Sequence, residues 1–196
     1  MKQWKTGAVL ISLLGIMSGM MMAGAAEEAE IPLSSETFPD PAFLSWVSDR
    51  DTDRDGSLSQ MELDAVTKMD LRKLGIQDLQ GLEYFRNLES LNCSENDLTI
   101  LELTDFPAMN SLTCNENPRL SELRLEGVLT LEHLYCFHSN LSELDLHDVP
   151  KLTYFAWGGS PLTELDLSGN PELQILHVLG GTLTTADLSQ NRKLET

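Results

Sequence analysis

Basic side chains are scarce in this chain. Thirteen Lys and Arg stand against 31 Asp and Glu over 196 residues, a formal charge of −18. Nucleic acid and anionic membrane need clustered Lys and Arg, so neither is expected as a partner. Cations, basic proteins and plain solubility all agree with the balance. Cysteine is also scarce: three residues, an odd number. No Gly-rich phosphate loop, nucleophile elbow or His-Glu metal motif occurs, and no nucleophile sits beside an evident base. The chain therefore reads as a non-enzyme. After the N-terminus there is no second long apolar run, so the mature form is not expected to span a membrane.

The N-terminus itself reads as an export signal. Met1-Lys2-Gln3-Trp4-Lys5 is a short basic start, Gly7 to Ala23 is uncharged and mostly apolar, and Ala23-Gly24-Ala25 is a small-x-small cleavage pattern. The competing reading is a retained anchor, but the run is only about 17 residues long and rich in Gly and Met. Residues 1–25 are expected to be removed, with secretion to the exterior or cell surface. Loss of Lys2 and Lys5 takes the charge to −18 − 2 = −20. No Cys near the cut suggests a lipid anchor. Residues 26–37 read as an acidic linker.

What the chain has in quantity is leucine at fixed intervals. Leu91-Asn92-Cys93, Leu112-Thr113-Cys114, Leu134-Tyr135-Cys136, Phe155-Ala156-Trp157 and Leu176-His177-Val178 follow one another at steps of 21, 22, 21 and 21 residues. A second column keeps pace: Leu101-Glu102-Leu103, Leu123-Arg124-Leu125, Leu144-Asp145-Leu146, Leu165-Asp166-Leu167 and Ala186-Asp187-Leu188. A third is Leu88, Met109, Leu131, Leu152, Leu173 and Leu194. Repeats of this period mean a solenoid. Each L-x-L or L-x-C piece alternates inward and outward like a strand, and stacked coils bury a common leucine row. Pro107, Pro150 and Pro171 fall between columns, where the chain must turn. A variant unit with Val66, Met69 and Leu71 comes first.

This pattern resembles the leucine-rich repeats of internalin-like bacterial surface proteins, over roughly residues 66–196. The resemblance implies an α/β, mainly β, horseshoe of 21–22-residue coils. It also implies that Asn96 and Asn117 hydrogen-bond neighbouring turns. The equivalent positions become Ser139, Ser160 and Gly181, so the later turns are expected to be held less rigidly.

Residues 38–68 read as a helix–loop–helix cap. Asp51-Thr52-Asp53-Arg54-Asp55-Gly56-Ser57-Leu58-Ser59-Gln60-Met61-Glu62 has carboxylates, glycine and the final glutamate at the spacing of a calcium loop. Asp51, Asp53, Asp55, the Ser57 carbonyl, Ser59 and Glu62 are the expected ligands, and Leu58 pins the loop to the core. The loop resembles calmodulin-type EF-hands. Being single, it points to a structural role for calcium rather than a sensing one. Asp40-Pro41 begins the entering helix, and Ser59-x-x-Glu62 is a capping box for an exit helix of about ten residues.

Cys93, Cys114 and Cys136 share one inward column and read as a ladder of free, buried thiols rather than disulfides or a zinc site. The four histidines, scattered over different faces, are given no metal. Two outward columns carry functional interest. His133, Tyr135, Phe137, Tyr154, Ile175, His177 and Leu179 put aromatic side chains on one sheet face. That suits a recognition surface for a protein or glycan, with ordinary cross-strand packing as the alternative. Glu122, Glu143 and Glu164, with Asp145, Asp166 and Asp187, form an acidic stripe read as a solvated surface. The chain stops at Leu194-Glu195-Thr196 as a further unit begins, with no polar cap in view. The expectation is a secreted, monomeric binding module. The alternative is a spacer, or the N-terminal part of a larger surface protein or enzyme.

Overall fold

The computed structural model describes residues 30–195. The expected signal peptide and its cleavage site lie outside these residues.

The molecule is a mainly β solenoid of about six coils. Its principal sheet has six parallel strands, one per coil: β3 (Lys68–Asp70), β4 (Ser90–Asn92), β6 (Ser111–Thr113), β8 (His133–Phe137), β9 (Tyr154–Gly158) and β11 (Ile175–Leu179), in that spatial order. The register puts Met69, Leu91, Leu112, Leu134, Phe155 and Leu176 in one inward row. The period-two alternation read from the sequence is therefore the period of the pleat. All of this row but Leu176 is buried, each burial worth about 1.5–3 kcal/mol.

The second leucine column forms two separate parallel pairs, β5 (Ile100–Thr104) with β7 (Glu122–Glu126), and β10 (Glu164–Asp166) with β12 (Thr185–Asp187). Leu144-Asp145-Leu146, expected to be a strand between them, is not one. Leu144 is only partly buried, whereas its counterparts Leu123 and Leu165 are buried. Pro107, Pro150 and Pro171 sit in turns, as expected.

The N-terminal end is covered by α1 (Pro41–Ser48) and α2 (Gln60–Ala65). Asp40 caps α1 by accepting from the Ala42 and Phe43 N–H groups at 2.9 and 3.1 Å. Its other oxygen accepts from Gln77 N–H at 2.8 Å, so one carboxylate ties the helix to the first coil. Phe38, Phe43, Val47 and Leu58 are fully buried. Phe38 packs edge-on against Phe43 and Tyr84, and a Cβ on Gly81 would come within 2.3 Å of its ring. Gly81, at φ 99°, therefore answers two demands that only glycine meets.

Two expectations need correction here. The exit helix has six residues rather than about ten, because Val66 turns extended and the Thr67 carbonyl already accepts from Glu89 and Ser90 of the next coil. The stretch read as a linker is partly built into the fold. β1 (Ile31–Pro32) pairs antiparallel with β2 (Ser57–Leu58), the strand inside the acidic loop, and Leu33 N–H donates to the Gly56 carbonyl.

Candidate functional site: an acidic loop and an aromatic sheet face

In the acidic loop, Asp51, Asp53 and Asp55 bring carboxylate oxygens within 4.8 Å of one another. Arg54 and Gly56 lie in the left-handed region, at φ 63° and 90°, which curls the backbone around that cluster. Asp51 accepts from the N–H groups of Arg54 and Gly56, and Asp55 accepts from Ser57 N–H. Partial desolvation, then the neighbouring Asp55 and Glu62 charges, push the Asp53 carboxyl above the ordinary carboxylate range. Glu62 stands apart from the three-carboxylate cluster. One of its oxygens accepts from the Thr52 N–H and hydroxyl, the other from the Ser59 N–H and hydroxyl. Those donors, Thr52 first, hold Glu62 down at about 2. The Ser59–Glu62 capping box is complete. The Ser57 hydroxyl donates to Glu30 and Asp55. The donor set is all hard oxygen, in a loop already curved about three carboxylates, and it fits a calcium-sized cation. Glu62 would have to exchange its Thr52 contacts to join.

The six-stranded sheet carries the second site. Its outward rows run Lys68, Ser90, Ser111, His133, Tyr154, Ile175 and Asp70, Asn92, Thr113, Tyr135, Ala156, His177. The first three strands are thus polar outward and the last three mostly aromatic or apolar. Tyr135 and Tyr154 lie 4.9 Å apart between ring centres, tilted by 33°. Tyr154 meets His177 edge-on at 5.3 Å and His133 at 6.2 Å. The Tyr154 hydroxyl and His177 Nδ1 are 3.0 Å apart, in hydrogen-bond contact. Between Tyr135 and Phe137 on one side and His177 and Leu179 on the other, β9 presents Ala156 and Gly158, both buried beneath their neighbours, and a Cβ on Gly158 would come within 2.0 Å of the Leu179 carbonyl oxygen. A groove of about 470 Å³ runs along the strand ends beside Phe137 and Leu179, edged by Arg72, Glu95, Glu116 and His138. All the residues expected at a recognition face are on this face, and none is fully buried.

The remaining predicted features divide. Cys93, Cys114 and Cys136 are free and buried, and desolvation raises all three thiols, Cys114 to about 12. Such thiols are inert core side chains. The acidic stripe is less bare than its sequence suggests. Arg124 bridges Glu102 and Glu122, and His147 Nδ1 sits 2.9 Å from Asp145 with Nε2 3.7 Å from Asp166.

Sequence reasoning missed two ladders. Asn96 and Asn117 bond back to the preceding coil as expected, through the Leu71 and Cys93 carbonyls. The later coils have their own buried amides, Asn170 and Asn191, which donate to Leu146 and Leu167. The lost Asn column is thus replaced half a coil further on. The signal was the Asn170-Pro171 turn and its repeat at Asn191. The second ladder is conformational: Lys73, Glu95, Glu116, His138, Gly159 and Gly180 all adopt positive φ within three residues of their strand ends.

Residues 38–170 match the family described as the leucine-rich-repeat domain of the endo-beta-N-acetylglucosaminidase EndoS. That is more than half of the chain. The chain belongs to the EndoS leucine-rich-repeat family. Among solved structures, internalin C2 of Listeria monocytogenes is 17% identical, covers 88% of this chain and 88% of its own, and has a TM-score of 0.51. This likeness shows the same solenoid fold. An internalin-like protein of that organism is 20% identical over 85% of this chain and 62% of its own, TM-score 0.48. The functional domain of InlJ, also from Listeria monocytogenes and described as including a cysteine ladder, is 22% identical over 85% of this chain, TM-score 0.39. This chain spans about half of that domain, 46%. For this family member, the family match supplies the fold of the coils, and the geometry above supplies the candidate sites. No helix among the described residues is long and apolar enough to cross a membrane.

Proposed function

We propose that this EndoS-type repeat domain is an exported, monomeric binding module. In this reading the aromatic face of β8, β9 and β11 grips a protein partner and calcium fastens the N-terminal cap. The observation that carries the reading is the cluster of Tyr135, Tyr154, His133 and His177, with Phe137 beside it. Ring faces, a hydroxyl and imidazoles stand together on an otherwise polar sheet face. Aromatic residues with polar handles are the side chains most enriched at recognition surfaces. The leucine-rich solenoid underneath is rigid, which lowers the entropy lost on binding.

Calcium enters through Asp51, Asp53 and Asp55, with the Ser57 carbonyl, Ser59 and Glu62 completing the shell. Its effect is structural, since the loop leads through α2 straight into β3. Export rests on residues 1–25, and N-terminal sequencing of the secreted product is expected to begin near Ala26.

The test of the binding reading is panning of a peptide-display library on the immobilised chain. Peptides are expected to enrich on the parent and to be lost on a Tyr135→Ser/Tyr154→Ser variant whose circular dichroism is unchanged. Loss of fold in that variant, or enrichment that ignores the tyrosines, would return the aromatic cluster to ordinary cross-strand packing.

A second reading is favoured by the family's name. An EndoS-type domain fits a non-catalytic arm or spacer of a larger surface enzyme. The mass of the native secreted protein tests it.

A further inference from the structure

We infer that the aromatic face takes a cationic polypeptide segment, with Lys or Arg side chains laid on the Tyr135 and Tyr154 rings. The inference rests on the binding-face reading above. Its first support is the distribution of charge. Between Glu126 and Gln190, the coils that bear the aromatic face, the chain carries five Glu and four Asp against a single basic side chain, Lys151, with no Arg. The other ten basic side chains of the described residues all lie outside this stretch. Glu172 pairs with Lys193 and His147 sits between Asp145 and Asp166, yet these coils remain net acidic, so a cationic segment is drawn toward them and an anionic one is opposed.

The second support is the chemistry of the rings. Tyr135, Tyr154 and Phe137 are only partly buried, so part of each ring is open to a ligand. A guanidinium or ammonium group over an aromatic face is held by the ring quadrupole. Among the described residues the Arg50 guanidinium carbon makes this pairing, 3.6 Å from the Trp46 ring centre. The third support is continuity. The groove along the strand ends runs from Phe137 and Leu179 to Glu95 and Glu116, giving an extended segment a place to continue, with carboxylates there that are shared with Lys73 and His138 and with Arg72 at the groove's edge. A neutral glycan would use the same rings but would gain nothing from the surrounding charge, and a second copy of this acidic chain would be repelled.

The experiment uses the mature chain, residues 26–196, and the library peptides that depend on Tyr135 and Tyr154. Those peptides are expected to be rich in Lys and Arg. The tightest, resynthesised, is expected to lose tenfold or more in affinity when its Lys and Arg become Gln. A loss of similar size is expected on Tyr135→Ser/Tyr154→Ser. Raising the salt from 50 to 300 mM is expected to weaken it severalfold. Tyrosine-dependent peptides that are neutral or acidic, or a salt-insensitive affinity, overturn this inference and leave the binding face standing. Tyrosine-dependent capture of a neutral oligosaccharide with no basic peptide enriched also overturns it, in favour of a glycan. If no tyrosine-dependent ligand emerges, the binding face falls and this inference falls with it.

Discussion

The two ends of the solenoid use the same inward columns and bury them very differently. At the N-terminal end, Phe38, Phe43, Val47 and Leu58 close over the first coil and are wholly inaccessible to solvent. In the last coil the inward positions stay open, with Val178 39% and Leu188 41% exposed. A leucine at the right period is therefore only a candidate core residue. What makes it core is a coil or helix stacked on its far side, because each unit of a solenoid contacts only its neighbours. The helical cap is a different solution from a coil, and the acidic loop sits inside it.

The comparison breaks most visibly if single truncations cost the same at both ends. Phe43→Ala removes a fully buried ring and is expected to destabilise the chain by about 3–5 kcal/mol. Val178→Ala is expected to cost under about 1 kcal/mol, because little transfer energy is lost from an exposed position. Chemical denaturation of both variants checks this, and equal losses would show that the last coil is buried in solution.

Calcium sharpens the contrast next. At a hundredfold excess over its Kd, a ligand of the folded state adds about 2.7 kcal/mol. For a chain of this size that raises Tm by roughly 5–10 °C. Glu62→Ala is expected to lose most of the rise, and hydrogen exchange should slow in α1 and α2 but not in β11. A midpoint indifferent to chelator would leave the loop an acidic turn held by Asp51. Asp40→Ala comes third, at about 1–2 kcal/mol, because it removes the α1 cap and leaves Gln77 N–H without its acceptor. Its exchange signature should appear in both α1 and the first coil.

The smallest effect lies toward the open end. Hydrogen bonding to Asp145 and the charges of Asp145, Asp166 and Asp148 raise the His147 pKa. A folded pKa above the unfolded value, about 6.5, means that the contribution is fully present below pH 6.5. It is lost as pH rises through the folded midpoint. NMR titration should place His147 above 6.5, and Asp145→Asn should bring it down. An unchanged midpoint in that variant would assign the shift to Asp166 instead.

Particular residues show how far the sequence could be read. The period of 21–22 residues was enough for the six-stranded sheet and its register, because the same inward step recurs in every coil. Asp40-Pro41 and Ser59-x-x-Glu62 marked their helix starts, since capping acts within four residues. The spacing of Asp51, Asp53 and Asp55 was legible in the same local way, and their carboxylates do converge. The thiol column at Cys93, Cys114 and Cys136 needed only the coil period. In each case the cause and its effect lie within one repeat.

What only the tertiary structure decided lies between repeats. Periodicity does not say that Glu30 to Leu33 lies along the acidic loop, that Glu62 is held by Thr52, or that Asn170 and Asn191 take over from Asn96 and Asn117. Nor does it say that Leu144-Asp145-Leu146 fails to form a strand while its counterparts succeed. His147 gains Asp166 from the next coil beside its local partner Asp145. Tyr135, Tyr154 and His177 belong to three successive coils and become one surface only when those coils stack. Local chemistry sets what each coil presents, and stacking at the spacing of paired strands, about 4.8 Å, sets which groups meet.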